Sequence, residues 1–150
     1  VPLSGGGLIA GVALAVKTLA PGARVIGLSM EKGAAMIESL RAGRPVEVTE
    51  HASLADSLGG GIGLDNQYTF NMVRELVDDM RSVPEAWIAE AMRHLYQREG
   101  WVAEGGGAIG LAPLLRDLDL PIGERIAVVV SGKNVDMALF HRVMNGEVPF

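Results

Sequence analysis

Apolar residues recur at three- and four-residue steps through Leu8, Val12, Ala15 and Leu19, the spacing of one helix face, and predict a helix over Leu8 to Thr18. Val1 to Leu3 reads as the end of a strand and Ser4 to Gly7 as the turn between the two, and Pro21-Gly22 stops the helix. Arg24 to Leu28 alternates too weakly for a half-exposed strand and reads as a short buried one. A second helix is expected over Ala34 to Ala42, closed by Gly43 where a left-handed residue commonly ends a helix, and Pro45 to Val48 fits an edge strand. Residues 49–63 form a long polar loop, followed by a helix over Thr69 to Leu76 and a short strand over Met80 to Val83. Pro84 and Glu85 suit the first turn of a strong helix running to about Arg98. Val102-Ala103 leads into Gly105-Gly106-Gly107 and a helix to about Arg116. Ile126 to Val130 is a continuous, β-branched run expected to be a strand buried on both faces, and Asp136 caps a last helix over Met137 to Met144. Strands alternating with helices predict an α/β fold, a parallel sheet flanked by helices, with residues 1–150 as one segment and no linker.

Composition narrows the function classes. The chain is 49% hydrophobic, enough for a buried core, and carries a net charge of -5, with no basic run to neutralise phosphates. No nucleic-acid partner is expected. The longest apolar stretch, Leu8 to Val16, is nine residues against the roughly 20 of a membrane span, so no membrane partner is expected either. No basic segment precedes it, as a signal peptide would require. With no cysteine, a disulfide scaffold and thiolate chemistry are excluded, which fits a reducing compartment and a cytoplasmic location. The chain opens without methionine and closes just after a helical pattern, so it reads as part of a longer polypeptide.

Glycine is the compositional outlier at 20 of 150 residues, and it clusters in triplets at positions 5, 59 and 105. Ser4-Gly5-Gly6-Gly7-Leu8 lies between a strand end and a helix start. Glycine admits close backbone approach, and the first amides of a helix have no partner within it, so the loop suits a phosphate better than a merely tight turn. Gly5 to Ala10 formally matches G-x-G-x-x-A, a dinucleotide fingerprint, and Gly105 to Gly110 matches G-x-G-x-x-G. Two matches in one glycine-rich chain weaken both, and Glu31 stands beyond the usual spacing, so a dinucleotide site is the runner-up. Ser131, where Ile126 to Val130 leaves the sheet, falls at the strand ends where open α/β sheets bind ligands. Ser4 and Ser131 are expected at that same edge.

Ser4-Gly5-Gly6-Gly7-Leu8-Ile9-Ala10-Gly11 resembles the phosphate loop of the fold-type II (tryptophan synthase β-like) pyridoxal-phosphate enzymes, within them the threonine dehydratase and serine racemase branch. Ser131-Gly132-Lys133-Asn134 resembles that branch's Ser-Gly-Gly-Asn segment, whose serine meets the pyridine nitrogen. Leu54-Ala55-Asp56-Ser57 resembles its Ala-Asp-Gly loop, and Leu76 to Asp79 and Ala103 to Ala108 align in order between the two ends. Leu54 to Asn66 further resembles hydroxyectoine-utilization dehydratases. The resemblance implies pyridoxal 5'-phosphate as cofactor. Ser4, Gly5, Gly6, Gly7 and Leu8 would hold its phosphate, Ser131 its ring nitrogen, and Ser57 would lie beside it. Glu104, just before a glycine loop at an expected strand end, reads either as a group beside the cofactor or as a charge at a helix start. It also implies a small amino-acid substrate, elimination of water and ammonia or racemisation, and a homodimer. A non-catalytic domain whose glycines only shape turns stays open as a third reading.

The departures from the family pattern are as informative. Lys133 stands where glycine is usual; it is set aside as a Schiff-base lysine because the strand end aims Ser131 inward. Ser57 also replaces a glycine, which would narrow the pocket or add a hydrogen bond. The family's cation-binding acids match Ser29 and Ala35 here, so no metal site is expected. The catalytic lysine, which the family carries in an earlier Ser-x-Lys segment, has no match, so no residue of this chain is expected to be catalytic. The chain reads as the C-terminal part of the catalytic domain. Lys17 and Lys32 are expected to be solvated, and Asp78, Asp79, Asp117 and Asp119 to be solvated or capping charges. His51, His94 and His141 show no ligand spacing. Met72, Met80, Met92, Met137 and Met144 read as core filler.

Overall fold

The computed structural model describes residues 1–116, 120 and 123–150. Two parallel strands, β1 (Ile26–Met30) and β2 (Asp79–Val83), pair in register from Ile26 opposite Asp79 to Met30 opposite Val83. Pro2 makes a further parallel bridge to Leu28 on the other edge of β1, and Leu3 donates its amide to the Leu28 carbonyl at 2.8 Å. The opening residues are thus the end of a strand, as the sequence predicts. β1 begins two residues later than Arg24 because Val25 is engaged elsewhere: its amide donates to the Asp78 carboxylate at 2.6 Å, and its carbonyl accepts from the Asp78 amide.

The helices are α1 (Gly7–Leu19), α2 (Ala35–Ala42), α3 (Thr69–Leu76), α4 (Glu85–Glu99), α5 (Gly105–Ala108) and α6 (Met137–Met144). Their ends follow local chemistry. Gly43 closes α2 at φ 72° and Gly100 closes α4 at φ 70°, both left-handed. The Asp136 carboxylate accepts the Leu139 amide at 2.8 Å and starts α6. The helix expected to run to Arg116 is instead the single turn of α5 and a 3-10 turn over Ala112–Leu115, with Pro113 breaking the ladder.

Two hydrophobic clusters meet at the sheet. One gathers Leu3, Ile9, Ala13, Met36, Phe70 and Val73; the other gathers Leu28, Met30, Leu58, Ile88, Met92, Ile109 and Phe140. The buried stripe of α1 is therefore Ile9, Ala10 and Ala13, not the Leu8–Val12–Ala15–Leu19 face, whose Leu19 is 84% exposed. α1 is apolar nearly all round, so periodicity offered two faces, and the seat against α3 selects the one with small alanines.

Ile126 to Val130 is the larger correction. It forms no strand here, and Ile126 is 50% exposed. A β-branched run needs a neighbouring strand to exchange hydrogen bonds with, and none of the described residues supplies one; only Val130 packs on the core. Pro45 to Val48 is likewise irregular; there the Val46 amide is satisfied by the Ser39 hydroxyl at 3.0 Å. Among the expected methionine fillers, Met92 is fully buried whereas Met137 is half exposed.

Lys17, Asp78 and Asp79 are not free solvated charges. Lys17 meets Asp78 at 2.7 Å, joining the end of α1 to the entry of β2, and Asp79 pairs with Arg81 at 3.0 Å. Asp117 and Asp119 lie outside the described residues. The Lys17 hydrogen bond, and next the Val25 amide, hold the Asp78 carboxyl below its ordinary 3.8. Its contribution to stability is thus complete above that value and lost as pH falls through the lowered one. Asp78→Asn is expected to lower the melting temperature at neutral pH, and the gap from wild type should narrow as pH falls below 3.8 and through the lowered value. Thermal unfolding of both proteins across pH checks this. Among the described residues, no helix is long and apolar enough to cross a membrane.

Candidate functional site

A cavity of about 260 Å³ opens between the two hydrophobic clusters. Its lining includes Ser4, Gly5, Gly6, Gly7, Leu8, Ser57, Glu104 and Ser131, all eight positions singled out from the sequence. Pro2, Ile9 and Leu58 complete it, apolar contributions that no motif marked. Residues separated by more than a hundred positions in the chain therefore face one space.

The first wall is the strand-to-helix turn of residues 2–9. The amides of Gly5, Gly6, Gly7, Leu8 and Ile9 donate to no acceptor among the described residues. No side chain caps α1, and its first turn holds no acidic residue, so the helix's positive end is not neutralised by its own sequence. The glycines divide the work. Gly6 sits at φ 91°, and a Cβ there would lie 2.8 Å from the Met36 Cε, so it is needed for the turn itself. At Gly5 and Gly7 a Cβ would meet nothing within 4 Å. Packing within the chain does not require glycine at those two positions; what a missing side chain leaves there is room in front of free amides. Thr69 fixes the loop by donating to the Gly5 carbonyl at 2.6 Å, and Asn66 holds Thr69 in turn. The motifs give neither residue a role; Asn66 also accepts the Phe70 amide at 3.0 Å at the start of α3.

The second wall is three loops in close contact. The third triplet is a packing device: a Cβ on Gly105 would collide with the Leu54 carbonyl, one on Gly106 with the Ser57 hydroxyl, and one on Gly107 with the Gly132 carbonyl. Its match to a dinucleotide fingerprint is explained by that packing. Glu85, at the start of α4, accepts the Ser53 hydroxyl at 2.5 Å and the Leu54 amide at 2.8 Å, and so holds the loop that carries Ser57. Ser57 donates to Glu104 at 3.3 Å, and the Glu104 side chain fills the space left by Gly132. Ser131 is exposed, with no hydrogen bond from its hydroxyl to the described residues.

Ser131 also borders a second, wider cavity of about 550 Å³ lined by Trp101, Val102, Val130, Gly132 and Lys133. Trp101 is 58% exposed and carried no sequence signal. Lys133 is exposed and lies in that second lining, not in the first. Lys17 is paired and Lys32 exposed, so none of the chain's three lysines lines the glycine-loop cavity. Ser29 is buried with its hydroxyl on the Met30 sulfur, and Glu31 is exposed beyond β1; among the described residues, no three His, Asp or Glu side chains gather as a metal would need.

The family model of pyridoxal-phosphate dependent enzymes matches residues 1–132, both walls of the cavity included. The chain belongs to that family, in its fold-type II branch. A threonine dehydratase-like protein of Sinorhizobium fredii is 54% identical over 147 residues, 98% of this chain and 44% of that protein. The L-threonine ammonia-lyase of Thermotoga maritima is 41% identical over 145 residues, 97% of this chain and 35% of that protein. Maize serine racemase superposes with a TM-score of 0.83 at 34% identity, covering 96% of this chain and 44% of that structure. The chain thus spans less than half the length of these pyridoxal-phosphate enzymes.

The residues present fit the cofactor. Free amides with room before them suit a phosphate, a volume near the lower end of ligand pockets (roughly 300–1,000 Å³) suits one ring, and an unengaged hydroxyl faces the same space.

Proposed function

We propose that this chain is the C-terminal part of the catalytic domain of a pyridoxal-phosphate dependent ammonia-lyase that removes water and ammonia from a β-hydroxy amino acid. The observation that carries the reading is the joint lining of one cavity by the Gly5–Leu8 loop and Ser131. In it the Gly5, Gly6, Gly7 and Leu8 amides, with the Ser4 hydroxyl, bind the phosphate, and the positive end of α1 favours its charge. Ser131 meets the ring nitrogen. A hydroxyl gives up a proton far less readily than a carboxylic acid, so the ring stays neutral there. Glu104 and Ser57 form the polar wall beside it. Bound pyridoxal phosphate supplies an electron sink that acidifies the substrate's Cα–H and lets a β-hydroxyl depart. The lysine that holds its aldehyde is assigned to the earlier Ser-x-Lys segment of the family.

The relatives named for threonine support threonine as the substrate. The likeness of Leu54 to Asn66 to hydroxyectoine-utilization dehydratases supports a place in hydroxyectoine catabolism. The fold shared with maize serine racemase supports racemisation as the second reading, since it too begins with loss of the Cα proton. A cytoplasmic homodimer completes the proposal.

Incubation of the intact protein with pyridoxal phosphate and L-threonine should release 2-oxobutanoate and ammonia. With L-serine as substrate instead, formation of D-serine without pyruvate would favour the racemase. Ser131→Ala should stay folded, its hydroxyl having no bond to lose among the described residues, and should weaken cofactor binding about three- to tenfold. An unchanged affinity would remove Ser131 from the ring nitrogen.

A further inference from the structure

We propose that Ser57 is the positioning residue that sets the Glu104 carboxylate in the wall of the cavity. The proposal rests on the cofactor reading above and deepens it, and it concerns a residue where the family pattern has glycine.

Glu104 is the only ionisable side chain in the lining formed by the described residues. A loose carboxylate there would swing toward the glycine loop and oppose an anionic ligand; a fixed one leaves the loop free. Ser57 supplies the fixing contact, its Oγ donating to Glu104 Oε1 at 3.3 Å. Both side chains are threaded through gaps left by glycines. The Ser57 hydroxyl fills the place of a Cβ on Gly106, and Glu104 Oε1 fills the place of a Cβ on Gly132. Ser57 is itself held, its amide donating to Asp56 Oδ1 at 2.8 Å and its loop tied to α4 through Glu85. The pair is therefore built by sterics from two sides and closed by one hydrogen bond. With glycine at 57 the gap at Gly106 would be empty and the carboxylate free to rotate.

Two readouts on the intact protein test this, the first without ligand. Selective ¹H–¹³C spectra of Glu104 should show two well-separated Hγ shifts in wild type, their separation collapsing to a small residual in Ser57→Ala and Ser57→Gly. Hγ shifts that stay split and unmoved in both variants would overturn the proposal. The second is the affinity for 4'-deoxypyridoxine 5'-phosphate, which has no aldehyde and needs no lysine. Ser57→Ala should weaken it about three- to tenfold in wild type and less than twofold in a Glu104→Ala background, because the hydroxyl acts through that carboxylate. Equal losses in the two backgrounds would also overturn it. If wild type fails to bind the probe while the Hγ shifts collapse as expected, the positioning role stands and the cofactor reading is what fails.

Discussion

Gly7→Ala is expected to leave the chain folded and to weaken pyridoxal phosphate binding about ten- to a hundredfold. The added Cβ meets nothing within 4 Å of protein, and position 7 is the first residue of α1, where alanine is a better helix former than glycine. The melting temperature should therefore hold or rise slightly. The same Cβ adds a methyl to the cavity wall beside five amides that have no acceptor among the described residues, which would crowd a phosphate off hydrogen bonds worth roughly 1.5–3 kcal/mol each when one partner is charged. Gly6→Ala is the contrasting control. At φ 91°, with Met36, Thr69 and Val73 within 3.1 Å of the new carbon, it should cost stability first. Fluorescence titration beside thermal unfolding separates the two. A Gly7→Ala protein that binds as tightly as wild type would mean the loop is only a turn.

The largest stability effect is expected from Gly105→Ala. Its Cβ would fall against the Leu54 carbonyl, a backbone atom that no rotamer change can move aside. Relief requires pulling the Leu54–Leu58 loop off α5, which separates Ala55 and Leu58 from the larger hydrophobic cluster. Overpacking of this kind costs roughly 1–3 kcal/mol and more where backbone meets backbone. A loss of about 3 kcal/mol is expected, a large share of an ordinary domain's 5–15 kcal/mol. Urea unfolding should report it as a fall in midpoint with an unchanged slope. A midpoint within experimental scatter of wild type would contradict the close packing of these loops. The pair of substitutions thus separates two glycine triplets that look alike in sequence: position 7 should read out in binding, position 105 in folding.

That distinction was only half legible beforehand. The two paired strands, most helices and the caps at Gly43 and Asp136 follow from local chemistry, because each depends on neighbours in sequence, whereas the eight expected positions in the cavity lining rest largely on an ordered set of motifs that resembles a known family. What was misread depends on what packs where. The Leu8–Val12–Ala15–Leu19 face has helical spacing just as the buried one does, and only close approach to α3, which favours alanine, tells them apart. Ile126 to Val130 has the composition of a central strand, yet pairing is a property of two segments, and one segment's residues cannot supply it. Asp78 looked solvated because its partner Lys17 is 61 positions away, on another helix. Thr69 and Trp101 carried no motif, since their importance lies in a carbonyl and a groove brought to them by the fold.

The most direct test is a ¹⁵N–¹H titration of the protein with pyridoxal phosphate, with inorganic phosphate as comparison. Pyridoxal phosphate should shift the amides of Gly5 to Leu8 and those around Ser131 together, along a single binding curve, whereas phosphate alone should move only the former. Shifts confined to the glycine turn for both ligands, with Ser131 and Gly132 unmoved, would mean that no one molecule spans the two walls.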